Sequence, residues 1–142
     1  MAVRRERVAT VIVDSSALIA IARAEADAHS YTEAIEATAH PSISAANLLE
    51  ASIVADRTSN PVTSRIFDQI VRDSGLIVEP VTAEHARIAR EAYRDFGKGS
   101  GHPAGLNFGD CFAYALAKDR NEALLYKGDD FSHTDVRSAL AE

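Results

Sequence analysis

Apolar residues fall along this chain in two alternating kinds of run, and the alternation predicts the fold. Val8 to Val13 (VATVIV) is β-branched and continuously apolar, the pattern of a strand buried on both faces. Asp14-Ser15-Ser16 then offers capping side chains ahead of the helical run Ala17 to Ile21. A more polar helix is expected over about Asp27 to Ala39, closed by His40-Pro41, with Pro41 to Ser44 as a short second strand. Ala45 to Arg57 reads as a helix with Leu48 and Leu49 toward a core, and Asn60-Pro61 breaks the chain before a further helix over Val62 to Ser74. Gly75 ends that helix, and Leu76-Ile77-Val78 is a third strand stopped by Pro80. Thr82 caps a helix to Phe96 whose inner face carries Ile88, Ala89, Ala92 and Tyr93. Lys98 to Leu106 is a glycine-rich loop, Asn107 to Asp119 a helix, Ala123 to Tyr126 a fourth strand, and Thr134 to Leu140 a short closing helix.

Strands alternating with helices call for a three-layer α/β/α fold around a central parallel sheet. At 142 residues, with no repeat and no shift in composition, the chain is one domain spanning 1–142. Met1 to Arg7 reads as an N-terminal extension. Arg4, Arg5 and Arg7 before an apolar stretch resemble a secretory signal, but Asp14, Ser15 and Ser16 interrupt the stretch near its middle. No segment offers 18 uninterrupted apolar residues for a membrane span, and a single cysteine, Cys111, rules out an internal disulfide. A reducing cytoplasm fits this composition best.

Charge narrows the chemistry. With 15 Lys and Arg against 21 Asp and Glu, the formal charge is −6, too acidic for binding nucleic acid by bulk electrostatics. Open parallel sheets bind ligands beyond the carboxyl ends of their strands, and acids from distant parts of this chain fall there. Asp14 follows the first strand, Asp129 and Asp130 follow the fourth, Asp110 opens the helix after the glycine loop, and Glu50 sits in the run LLEA. Each has a local reading too. Asp14 is a favoured N-cap, Asn107 and Asp110 have capping-box spacing, Asp129-Asp130 suit a turn, and Asn47 and Asp56 suggest that Glu50 shares a solvated face. Two carboxylates about 5 Å apart at an effective dielectric near 20 repel by roughly 3 kcal/mol, so a cluster calls for cations or protons. Oxygen donors select Mg²⁺ or Mn²⁺, and such ions support phosphodiester hydrolysis. They also draw a phosphate backbone toward an acidic protein.

Other constellations are weaker. Cys111 lacks a His/Asn partner pattern and suits packing, and the five histidines lack HExxH spacing. No GxGxxG is present. Lys127 near the last strand suggests a receiver-like phosphotransfer domain, although such domains need paired acids where Ser15-Ser16 stand. A non-catalytic RNA- or protein-binding module on the same fold is the other alternative. Lys98, His102, Lys118, Arg120 and Lys127 are candidate RNA-backbone contacts, as is His133 beside Asp135.

Four stretches carry a resemblance to a known family: VIVDSSALIAI (11–21), SAANLLEASIV (44–54), AYRDFGKGSGHPAGLNFGDCFAYALA (92–117) and LLYKGDDFSHTDV (124–136). Together they resemble PIN-domain ribonucleases, specifically the VapC toxins of bacterial toxin–antitoxin pairs. In that family the first strand ends in an aspartate followed by a small hydroxyl residue, matching Asp14, Ser15 and Ser16. A glutamate in the helix after the second strand matches Glu50, and a glycine-aspartate pair opening a later helix matches Gly109-Asp110. The resemblance implies a PIN-like fold, a Mg²⁺ centre held by Asp14, Glu50 and Asp110, and Ser16 in a supporting role. It also implies metal-dependent endoribonuclease activity, an RNA substrate, a cognate VapB-type antitoxin and a toxin homodimer. Leu48, Ile53 and Val54 would help form a groove for an antitoxin helix. Many relatives carry an aspartate directly after the last strand, where this chain has Gly128. Asp130 is then the expected fourth acid, with Asp129 as the alternative.

Overall fold

A computed structural model describes residues 8–57 and 59–140. The residues of the proposed N-terminal extension, 1–7, lie outside the described ones. The elements run β1 (Val8–Val13), α1 (Ser15–Ala22), α2 (Ala28–Glu36), β2 (Thr38–Ser44), α3 (Ala45–Arg57), α4 (Pro61–Asp73), β3 (Ile77–Glu79), α5 (Ala83–Phe96), α6 (Phe108–Arg120) and β4 (Leu124–Leu125), with a 3-10 turn over Asp130–His133. The strands form one sheet in the order β3-β2-β1-β4, every pair parallel. Caps set the helix starts: Asp14 accepts from the Ser16 amide, Asn60 from Val62 ahead of Pro61 at the first turn, and Thr82 from His85.

Period-two alternation along the inner strands builds two cores. Val11 and Val13 of β1 and Leu125 of β4 point into a cluster with Leu18, Tyr31, Ile43, Ala51 and Phe67, which seats α1 to α4 on one face of the sheet. Ile12 and Leu124 point the other way, to Ala92, Leu106, Leu116 and Phe131, which seats α5 and α6. The expected α/β/α sandwich is therefore present. Buried His85 ties α5 to α6 through Asp119 at 3.0 Å.

Three local expectations fail for tertiary reasons. Residues 38 and 39 are strand rather than helix, and β2 begins at Thr38 rather than Pro41, because Thr38 and His40 pair with Val8 and Thr10 of β1 and α2 ends at Glu36. Pro41 is tolerated inside β2 because β3 begins only opposite Ser42, leaving an edge on that side. Thr134 to Leu140 is not a helix. Leu124 donates its amide to Arg137 and accepts from Ala139, so the chain end covers the open edge of β4. Tyr93 is 45% exposed, while His85 takes a place on the inner face of α5 beside Ala89 and Ala92.

Leu116 on α6 is fully buried in the second core, among Ile12, Leu106 and Leu124. Leu116→Ala is expected to destabilise the fold by about 2–5 kcal/mol. Urea unfolding checks this, with a lowered midpoint and an unchanged slope as the expected result.

Candidate active site

The chain winds from β1 through β2 to β3 on one side and returns to β4 on the other. A crevice therefore opens at the carboxyl ends of β1 and β4. Asp14 leaves β1 there, its amide bonded to the Leu125 carbonyl at 2.9 Å. Its Oδ2 accepts from the Ser16 amide at 3.0 Å and the Ser16 hydroxyl at 2.6 Å. Its Oδ1 is buried with no hydrogen-bond partner. Burial raises the Asp14 pKa to about 6; the Ser16 bonds oppose that rise and the Glu50 charge adds to it. Ser16 is also a tie across the crevice, since its hydroxyl accepts from the Lys127 amide at 2.9 Å.

Glu50 reaches the crevice from α3 in the opposite helical layer to α6. Its Oε1 accepts from the Ser15 hydroxyl at 2.5 Å and from the Asn47 side-chain amide at 3.3 Å. The same Asn47 amide donates to the Gly109 carbonyl at 2.9 Å. Asn47 is thus wholly buried and joins α3 to the start of α6, rather than marking a solvated face. A Cβ on Gly109 would overlap the Glu50 carboxylate, which is the physical reason for glycine before Asp110. Leu49, expected in the core, is 61% exposed.

Asp110 fills two roles. Its Oδ2 accepts from the Asn107 amide at 3.0 Å while Asn107 Oδ1 accepts from the Asp110 amide at 2.8 Å, a full capping box. Its pKa is nonetheless raised to about 7, first by burial and then by the charges of Asp14, Asp130 and Glu50, against the pull of the Asn107 bond. Asp130, exposed at the head of the 3-10 turn, is close enough for its charge to act on Asp110. Gly128 turns the chain with φ +99°, a backbone that an aspartate there would adopt only under strain.

Distant segments therefore bring Asp14, Glu50, Asp110 and Asp130 under one electrostatic field. Among the described residues no three acid, His or Cys side chains form a closed cage for one ion. The donor chemistry still fits a hard cation: all four are carboxylates, and the buried Asp14 Oδ1 has no hydrogen-bond partner among the described residues. Ser15 and Asn47 are positioning residues that composition did not single out. Asn47 and Glu50, three residues apart on one helix face, were the available signal.

The basic candidates are mostly engaged within the chain. Lys127 holds Glu25 at 2.8 Å and Asp27 at 3.0 Å, which push its pKa up to about 12. Lys118 pairs with Asp135, and Arg120 with Glu79. Neither Lys127 nor the sheet suits a receiver domain, whose order places strands 2 and 3 on either side of strand 1. Cys111 is a buried free thiol whose pKa burial pushes up to about 11. No helix among the described residues is long and apolar enough to cross a membrane.

A family model described as PIN domain matches residues 11–137. Over 130 residues the chain is 55% identical to Ribonuclease VapC28 of Mycobacterium tuberculosis, covering 92% of this chain and 98% of that protein. It is 47% identical over 129 residues to Ribonuclease VapC42 of the same organism, covering 91% and 98%. The solved structure of Mycobacterium tuberculosis VapC20, described as a Sarcin-Ricin loop cleaving toxin, superposes with a TM-score of 0.70 at 18% identity, covering 89% of this chain and 95% of that one. VapBC2 from Rickettsia felis, bound to a DNA fragment from its promoter, gives 0.69 at 13% identity, covering 91% and 96%. At those identities the two structures bear on the fold alone.

Raised carboxylate pKa values make the folded state bind more protons than the unfolded chain, so stability falls as pH rises through them. With a chelator present, these two groups are expected to lower the melting temperature from about pH 4 to about pH 7, the window between their ordinary values and the raised values of Asp14 and Asp110. Asp14→Asn with Asp110→Asn flattens that slope. Thermal melts followed by circular dichroism decide it, and an equal slope in the double variant would contradict the assignment.

Proposed function

We propose, from the premise that the chain belongs to the PIN-domain family and within it to the VapC type, that it is a metal-dependent endoribonuclease acting as the toxin of a toxin–antitoxin pair. The observation that carries this reading is the meeting of Asp14, Glu50 and Asp110 at the β1–β4 crevice, with a buried Asp14 oxygen left without a donor. Asp14, Glu50 and Asp110 would hold Mg²⁺, or Mn²⁺ in its place, with Asp130 as the fourth acid. When bound, such an ion activates water and offsets charge on the scissile phosphate.

The chain's own groups set the geometry. Ser16 fixes one oxygen of Asp14 and leaves the other without a hydrogen-bond partner, available to a ligand. Ser15 and Asn47 hold Glu50 from two sides, so its carboxylate is oriented before any ligand arrives. Asn107 takes one oxygen of Asp110 and leaves the second for a ligand. The half-neutral state implied by raised pKa values lets the site ionise as a cation binds.

Partners follow from the same reading. The substrate is RNA, and a VapB-type antitoxin would silence the enzyme in the cytoplasm. Leu49 and Ile53 on α3, with Val62 and Ile66 on α4, are exposed apolar side chains that an antitoxin helix or the second subunit of a homodimer would cover.

Purified protein incubated with total RNA is expected to cut it only when Mg²⁺ or Mn²⁺ is present, at ends that sequencing will map. Asp110→Asn should lower cleavage at least about a hundredfold while the fold persists, since asparagine keeps the size and capping ability of the side chain. Asp130→Asn should lower it more than Asp129→Asn. Metal-independent cutting, or an Asp110→Asn enzyme as active as wild type, would overturn the reading.

A further inference from the structure

On the α5–α6 flank lies a concave feature that the carboxylate site does not use. A cleft of about 420 Å³ is walled by Tyr93, Phe108 and Phe112, floored by Cys111 and flanked by Arg90 and Arg94. Phe108 is 75% exposed, more than any other large hydrophobic among the described residues. A T-shaped contact with Phe112, one turn along α6 and 4.9 Å between ring centres, holds it in place. The Cys111 thiol stays neutral at physiological pH and adds no charge to the floor.

The cations beside the cleft differ in what they do. Arg87 is engaged by Glu84 and Glu91, and Arg94 by Asp95. Arg90, exposed, has no acidic partner among the described residues. In a chain of net charge −6, an unpaired guanidinium beside an exposed aromatic face suits an anionic, π-bearing ligand. Position says which. Phe108 is two residues before Asp110, so the two side chains leave α6 about 200° apart around the helix axis. One faces the acids and the other faces α5, from opposite sides of the first turn of α6.

We infer that this cleft holds a nucleobase of the RNA strand being cut, stacked on Phe108, with a neighbouring phosphate paired to Arg90. The inference rests on the ribonuclease reading and adds a base-binding subsite on the opposite side of the α6 start from the acids. Aromatic stacking tolerates any base, so the subsite supplies affinity and register along the strand.

Binding measured in chelator separates this from catalysis. A fluorescent single-stranded RNA of mixed sequence, and an abasic strand with the same number of phosphates, are titrated with the full chain. Phe108→Ala is expected to weaken the mixed strand about tenfold and to leave the abasic strand unchanged. Arg90→Gln should weaken both and flatten the salt dependence. The chain has no Trp, so Phe108→Trp gives one indole whose emission should be quenched as the strand binds. Equal RNA affinity in wild type and Phe108→Ala, or no quenching at saturation, would overturn the subsite. So would a Phe108→Ala protein that keeps its RNA affinity and loses its dimer in sedimentation, because the cleft would then be an interface between copies. Loss of Mg²⁺-dependent cutting by the wild type, with stacking intact, would instead fall on the ribonuclease reading.

Discussion

Carboxylates from distant parts of the chain meet at the end of a parallel sheet, where Asp14 is buried and Asp110 half-buried, farther from water than their charges favour. Burial raises the nearly inaccessible Asp14 to a pKa of about 6 and Asp110 to about 7, the charges of Asp14, Asp130 and Glu50 adding to the rise of Asp110. At an effective dielectric near 20, two ionised carboxylates about 5 Å apart would repel by roughly 3 kcal/mol. The two apolar cores offset that repulsion, since Ile12, Val13, Leu116, Leu124 and Leu125 are all fully buried beneath it. A site destabilised in this way gains most when a cation enters, which is the property a metal-dependent nuclease requires.

The fold concentrates this repulsion at one place. Because β1 lies between β2 and β4, its last residue is covered from both helical layers, and Asp14 emerges where those layers meet. The Asn47 amide spans them, bonding Glu50 on α3 and the Gly109 carbonyl at the head of α6. Gly109 lets that head approach, since any side chain there would displace Glu50. Ser15 and Ser16 then divide the work at the start of α1, one holding Glu50 and the other holding Asp14 and the strand after β4. Capping and ligand presentation are therefore one arrangement: the groups that end strands and begin helices are those that orient the acids.

Much of this is legible in sequence because it is local. The β-branched run to Val13 followed by Asp-Ser-Ser, the Asn60-Pro61 start of α4, and the Asn107–Asp110 capping box are all decided by near neighbours. What sequence misses depends on partners far along the chain. Thr38 to His40 carry no strand pattern of their own and become strand by pairing with β1. The segment after Thr134 has helix-compatible residues, yet its amides and carbonyls serve the edge of β4. Asn47 looks like a solvent-facing residue until Gly109, 62 positions later, is placed beside it. Lys127 looks available for phosphate until Glu25 and Asp27 close around it.

If burial, with repulsion among these acids adding to it, is what readies the site, cation binding must release the protons that the two together retain. Calorimetric titration of Mn²⁺ at about pH 6.5, in buffers of different ionisation enthalpy, measures that release directly. The account predicts a heat that varies with the buffer, corresponding to protons leaving Asp14 and Asp110, and a release that fades by about pH 8.5, where both are already ionised. The same heat in every buffer at pH 6.5, or no saturable Mn²⁺ binding, would contradict it.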